Sequence, residues 1–337
     1  MKPSVALPLV LFALLALLAL PVRAEFKRPD AAGRAQALGD ISAEPEPLRR
    51  LLEPDGDFYP ITLPRSNDWL GVHYEPGQTF AAYRAAKPNR PDATRRVIYL
   101  LPIGEFDEDT SPPLDEIRAY AAAYFQLPVK ILPAYDPHDL EFEPRKNPRS
   151  GQRQILTTSV EAFLKTRLPD DAYCLLGVTM TDLYPSPKWN YVFGEATLVD
   201  RVGIYSFARY DPAFRGDERG ADYHDLILRR ACKVMTHELG HMFGLEHCIY
   251  YDCLMNGAND LEEMDGTPRS VCPVCLRKLH ECIGFDAVKR YEQLLALCER
   301  HHWYNDVDWI NAQLAKVRPP AKPAARASRE DAPATKT

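Results

Sequence analysis

The sequence predicts a mixed α/β fold: a twisted, mostly parallel sheet with an antiparallel edge strand, one long helix, and a small helical C-terminal part. Three observations carry this. Short β-prone apolar runs alternate with helix-spaced segments through residues 96–178, an order that implies right-handed crossovers and parallel pairing. Two extended runs, residues 190–199 and 201–210, then lie close together, and at least one is placed as an antiparallel edge strand beside a cleft. A long helical pattern follows over residues 222–243.

In chain order, Lys2 precedes an apolar run over residues 5–20 broken only by Pro8, and Val22-Arg23-Ala24 supplies small residues at a cleavage position. Residues 1–24 therefore read as a secretory signal, because the run is short for a membrane span of about 20 residues. The expected location is exported, periplasmic or secreted, with no stable membrane span after cleavage. An uncleaved N-terminal anchor is the alternative. No cysteine precedes Cys174, which excludes a lipid-modified cysteine behind the signal. Residues 25–64 are polar, Pro-rich and weakly patterned, as in a linker or surface-wrapping segment, and residues 65–316 form the folded domain.

Within the domain, residues 96–101 form a buried strand, and residues 114–125 a helix with Leu114, Ile117, Tyr120, Ala121 and Tyr124 on one side. Residues 129–132 give a second strand. A second helix over 152–168 has Ile155, Val160, Phe163 and Leu164 as its stripe, and 173–178 is a third strand. The long helix turns Leu226, Ile227, Ala231, Val234 and Leu239 inward and ends at Gly244. Another helix covers about 275–297. Residues 317–337, rich in Ala, Pro and charge, read as a disordered tail.

Composition narrows the function. The chain has 337 residues, 46% hydrophobic and 26% charged, which excludes a fibre, a mostly disordered chain and a polytopic membrane protein. The formal charge of −6 offers no basic surface for nucleic acid, and no internal period marks a repeat protein.

The chemistry concentrates in His237-Glu238-Leu239-Gly240-His241. Residues four apart share a helix face, so both imidazoles reach one zinc ion, Glu238 enters the same cleft, and His247 returns past Gly244 as a third ligand. Three neutral histidines leave zinc an open position for water, whose pKa the metal lowers; Glu238 then accepts the water's proton and passes it to the leaving amine. A surface helix that merely carries three histidines is the bland alternative. Cys248, Cys253, Cys272 and Cys275 form two local pairs, which fit a closed structural zinc site or, in an exported protein, disulfides.

These residues, with Met255 eight positions after His247, resemble the archaemetzincins, a metzincin-clan zinc peptidase family. The likeness extends upstream through Trp69, Gly77-Gln78-Thr79-Phe80, Asp182-Leu183-Tyr184-Pro185 and Ser206-Phe207-Ala208-Arg209-Tyr210. Sixteen residues separate Met255 from Cys272, one fewer than the family spacer. The resemblance implies a metallopeptidase acting on a peptide or protein, with an aminopeptidase-like preference and two zinc ions, one catalytic and one structural. Met255 would be a packed floor residue under the three histidines. The alternative function is a non-catalytic, zinc-dependent peptide-binding protein; a disulfide-framed exported domain is a third. Oligomeric state is left open.

Other residues receive plainer expectations. His224 is a surface or helix-start residue, and Cys232 is buried filler. His73, His138, His280, His301 and His302 lack ligand spacing. Asp182 and Glu195 are expected in exposed turn and strand roles rather than along the cleft, and residues 146–153 form a solvated loop.

Overall fold

The computed structural model describes residues 26–136 and 142–318. The leader (1–24), His138 and residues 319–337 of the expected tail lie outside the described residues.

The polar N-terminal stretch is more structured than a linker. Helix α1 (Ala31–Leu38) starts at Asp30, whose carboxylate accepts the Gly33 N–H (2.8 Å), and buries Ala37 and Leu38. Helix α2 (Glu46–Leu52) buries Leu48, Leu51 and Leu52. Both are too short to show a sequence period, yet their few apolar residues fall on one side. Short helices α3 (Trp69–Val72) and α4 (Phe80–Ala86) follow, the latter capped by Thr79 Oγ1 on the Ala82 N–H at 3.0 Å.

The sheet then forms in βαβ fashion. Strand β1 (Val97–Ile103) is buried throughout; α5 (Leu114–Phe125) crosses to β2 (Val129–Ile131). Strand β3 (Arg145–Lys146) and strand β4 (Arg153–Leu156) precede α6 (Thr157–Lys165). Strands β5 (Ala172–Thr179), β6 (Asp182–Tyr184), β7 (Gly194–Ala196) and β8 (Val202–Ser206) complete the set. The main sheet runs β2-β1-β5-β8-β7, parallel except for β7, which pairs antiparallel with β8 and forms the edge. Alternate residues of β1 serve two cores: Ile98 and Leu100 face one with α5, while Val97, Tyr99 and Leu101 face another with Val160 and Leu164 of α6.

The helix expected over 152–168 begins as a strand. Residues 153–156 run from an exposed Arg153 through buried Gln154 and Ile155 to a half-buried Leu156, and residues 154–156 pair in parallel with β6 in a small sheet, β3-β4-β6, before α6 starts. Ile155 and Val160 suit either period, and the pairing with β6 decided it. The solvated loop expected at 146–153 lies largely exposed between β3 and β4.

Helix α7 (Tyr223–Met242) is the long helix, packed against α5, β7 and β8. Its last carbonyls are buried, and distant side chains satisfy them: Tyr173 OH donates to Met242 O (2.8 Å) and Tyr83 OH to Phe243 O (2.8 Å). Gly244, at φ +82, lets the chain reverse there. After α8 (Leu261–Gly266), the single helix expected over 275–297 divides into α9 (Pro273–Ile283) and α10 (Ala287–Arg300). Gly284, in the left-handed region, ends the first, and Asp286 starts the second by accepting the Val288 and Lys289 N–H groups (3.0 Å each). Helix α11 (Tyr304–Val317), including the first residue of the expected tail, packs on α10 and α2. Among the described residues no helix is long and apolar enough to cross a membrane.

Candidate metal centres

Helix α7 carries His237 and His241 one turn apart, and the reversal at Gly244 returns His247 to the same point. One ligand atom from each of the three lies within 4.8 Å of the others. The opposite ring nitrogens are tied down. His237 Nδ1 donates to Leu254 O (2.8 Å), His241 Nδ1 to Leu245 O (2.7 Å), and His247 Nδ1 to Glu75 Oε1 (2.8 Å). Oxygen acceptors require protons on all three Nδ1 atoms, so each Nε2 presents a lone pair.

The Nε2 atoms of His237 and His241 lie 3.0 Å apart, lone pair toward lone pair. No hydrogen bond joins them in that tautomer, and a cation between them removes the conflict. Nitrogens about 2.0–2.1 Å from a tetrahedral zinc lie roughly 3.3 Å from each other, so this donor set fits zinc. Burial, then the neighbouring imidazoles, hold His237 well below its ordinary value; burial and His247 push His241 down to about 3. Both are neutral, as metal ligation requires.

Glu238 is buried beside them. Burial, then Glu195 and Glu161, raise its carboxyl well above the ordinary range. The backbone of β7 presses against it: a Cβ on Gly194 would lie 2.5 Å from Glu238 Oε1. Below, Met255 is fully buried, its sulfur packed so closely on Gly240 that a Cβ there would come within 2.5 Å. Met255 therefore sits as a floor under the helix. A cleft of about 480 Å³ opens over the centre, walled by β7, by Trp69 and Trp189, and by Lys233, Met264 and Thr267 on the far side.

The second group is Cys248, Cys253, Cys272 and Cys275, all free and fully buried, with sulfurs within 4.8 Å of one another. Four sulfurs about 2.3 Å from a tetrahedral zinc stand roughly 3.8 Å apart. Cys248 Sγ and Cys272 Sγ are 3.6 Å apart, suited to a shared metal and far beyond a disulfide bond of about 2.05 Å. The Cys253 sulfur also accepts backbone N–H groups from Met255 (3.5 Å) and Cys272 (3.2 Å), which fix its direction toward the other three sulfurs. Asn256 pins the loop, donating to Cys248 O (2.7 Å) and accepting from Cys253 N (2.7 Å).

Two acidic residues stand elsewhere than expected. Asp182 is buried in a bidentate pair with Arg209 (2.7 and 2.8 Å) and also accepts from Gln154 (2.8 Å). It opens the buried strand β6 of the small sheet instead of lying in an exposed turn, which residue-type preference does not reveal. Glu195, half-buried on β7, lines the cleft after all, and it accepts from Thr157 Oγ1 beside Glu161. His224 is exposed near the start of α7, and Cys232 is buried, as expected. Glu75, Gln78 and Asn256 were not singled out as site residues, and only the Asn position immediately after Met255 offers a local hint.

Residues 162–281 match the model of peptidase family M54. The chain is 37% identical over 298 residues to archaemetzincin-2 of Rattus norvegicus, covering 80% of this chain and 82% of that protein. It is 34% identical over 266 residues to archaemetzincin-1 of Homo sapiens, covering 70% of this chain and 53% of the relative. Among solved structures, archaemetzincin from Methanopyrus kandleri aligns with 58% of this chain and 99% of its own, at 25% identity and a TM-score of 0.44.

Proposed function

The chain belongs to the archaemetzincins, a zinc metallopeptidase family, and from that premise we propose that it hydrolyses peptide bonds at the His237, His241 and His247 centre with Glu238 as the catalytic acid and base. The observation that carries this is the meeting of three Nε2 lone pairs and the Glu238 carboxyl under one open cleft. Zinc held by the three histidines supplies Lewis acidity toward water and the scissile carbonyl. Cys248, Cys253, Cys272 and Cys275 hold a second, structural zinc, making two per chain.

Substrate lies extended along the free edge of β7, adding its backbone to the sheet. That pairing carries the scissile bond past Gly194 and over Glu238. A Glu238 carboxylate oxygen accepts a proton as the water oxygen bonds to the carbonyl carbon. As the C–N bond breaks, the same proton passes to the leaving nitrogen. One carboxyl serves both halves because it lies buried beside the three histidines, against the backbone of β7 at Gly194.

The decisive comparison is a peptide mixture incubated with the protein and with Glu238→Gln. The expected result is specific cleavage by the first and a loss of at least about a hundredfold in the second, within the range for general acid–base catalysis, with zinc content unchanged. Zinc-dependent binding without cleavage by the unaltered protein would support a non-catalytic peptide-binding protein instead. An aminopeptidase-like preference predicts cleavage of peptides with free N-termini over their acetylated counterparts.

A further inference from the structure

We propose that Glu75 is the positioning residue for His247, which makes the N-terminal strap of residues 69–80 an integral part of the three-histidine centre. The proposal rests on the reading of that centre as a zinc site. His237 and His241 are oriented by carbonyls of Leu254 and Leu245, in the loops that follow their own helix. His247 is different: its Nδ1 donates 2.8 Å to a carboxylate 172 residues earlier. The same oxygen, Glu75 Oε1, also accepts from Trp69 Nε1 (2.8 Å), so both donors converge on it and fix its direction.

The histidine most in need of support receives it. His247 lies past the end of α7, on a loop outside any helix. The strap holds that loop at three further points. Gln78 Nε2 donates to Gly244 O (3.0 Å), and Gln78 Oε1 accepts from Glu246 N (3.4 Å). Gly77 lies so close under Ile249 that a Cβ would come within 2.6 Å of it. The Trp69 ring also meets the His247 ring edge-on, 4.9 Å between centroids at 82°. A carboxylate acceptor does what a carbonyl does for the tautomer and additionally makes the imidazole more basic toward a cation. Loss of such an outer partner typically costs about 10–100-fold in metal affinity.

The test is zinc competition with a chromophoric chelator on the full chain, comparing Glu75→Gln, Glu75→Ala and Glu263→Gln. Glu263 holds the other side of the strap, accepting the Trp69 backbone N–H at 2.8 Å, so its variant loosens the strap and leaves Glu75 in place. The expected result is one zinc ion bound about tenfold more weakly in Glu75→Gln, and more weakly still in Glu75→Ala. The affinity for the second zinc, and the unfolding midpoint measured with the three-histidine site emptied, should stay unchanged in both, and Glu263→Gln should release zinc like the unaltered protein. Zinc affinity in both Glu75 variants equal to that of the unaltered protein overturns the proposal. So does an equal loss in Glu263→Gln, which would reduce Glu75 to a structural tie. A separate control addresses the underlying reading: zinc content unaffected by His237→Ala removes the three-histidine zinc itself, whatever Glu75 does.

Discussion

Glu161 shows how much a single residue can reveal that its neighbours in sequence do not. Its side chain is buried on α6, and Oε1 has no hydrogen-bond partner among the described residues. Burial first, then Glu195, push its carboxyl up to about 7 from an ordinary 4.5, with Asp200 adding to the rise and Lys165 opposing it. Folded chain thus keeps a proton that unfolded chain releases between those values. Its contribution to stability is intact below about pH 4.5 and is lost as pH climbs through about 7. Glu161→Gln should therefore raise the unfolding midpoint near pH 8 and leave it almost unchanged near pH 5; a gain of equal size at both would contradict the assignment. None of this was legible from the sequence, where Glu161 is one polar position in an amphipathic pattern. The grouping of His237, His241 and His247 was legible because the helical repeat and one turn bring them together locally. Glu75 was not, since no spacing rule links residues 172 apart.

Among the elements, the edge strand β7 has the tightest link to chemistry. It is only three residues long, and Gly194 gives it its closeness to Glu238. Gly194→Ala would place a methyl 2.5 Å from Glu238 Oε1 and 2.8 Å from Tyr205 Cβ, and the second of these neighbours cannot rotate away. We expect turnover to fall at least about tenfold with zinc content unchanged, alongside a stability loss of about 1–3 kcal/mol from overpacking. Retained turnover would mean that the carboxyl adjusts freely. An antiparallel edge strand near the cleft was readable from two close extended runs, whereas its length and register were set by pairing with β8. The same holds for residues 153–156. Their apolar spacing suited a helix, and contact with β6, twenty-eight residues on, made them a strand. The break between α9 and α10 lay in plain sight as Gly284 and Asp286, two helix-boundary signals that a long apolar stripe obscured.

At the scale of the molecule, the N-terminal and C-terminal segments close the core together. Trp309 of α11 meets Phe58 (6.0 Å) and Tyr291 (5.7 Å) edge-on, Gln313 donates to Asp57 (3.1 Å), and Lys316 pairs with Asp55 (2.6 Å). Buried Ile310 and Leu314 each contribute about 1.5–3 kcal/mol, a large part of a typical 5–15 kcal/mol total. A chain ending at residue 300 should accordingly lose its cooperative thermal transition, measurable by circular dichroism. A sharp transition within a few degrees of the full chain's would show that α11 is dispensable. This interlocking was hidden in the sequence because residues 25–64 carry too few apolar positions to display a period, and their partners lie at the opposite end.

The pairing of α2 with α9 and α11 also bears on how the molecule is made. Synthesis proceeds from the N-terminus, so Leu48, Leu51 and Leu52 leave the ribosome more than two hundred residues before the helices that cover them. Through most of translation these leucines are exposed, and Glu75 has no His247 to hold. The nascent chain must wait, apolar face uncovered and the three-histidine centre unassembled, until its last hundred residues emerge; it is during that interval that a chaperone would have something to bind.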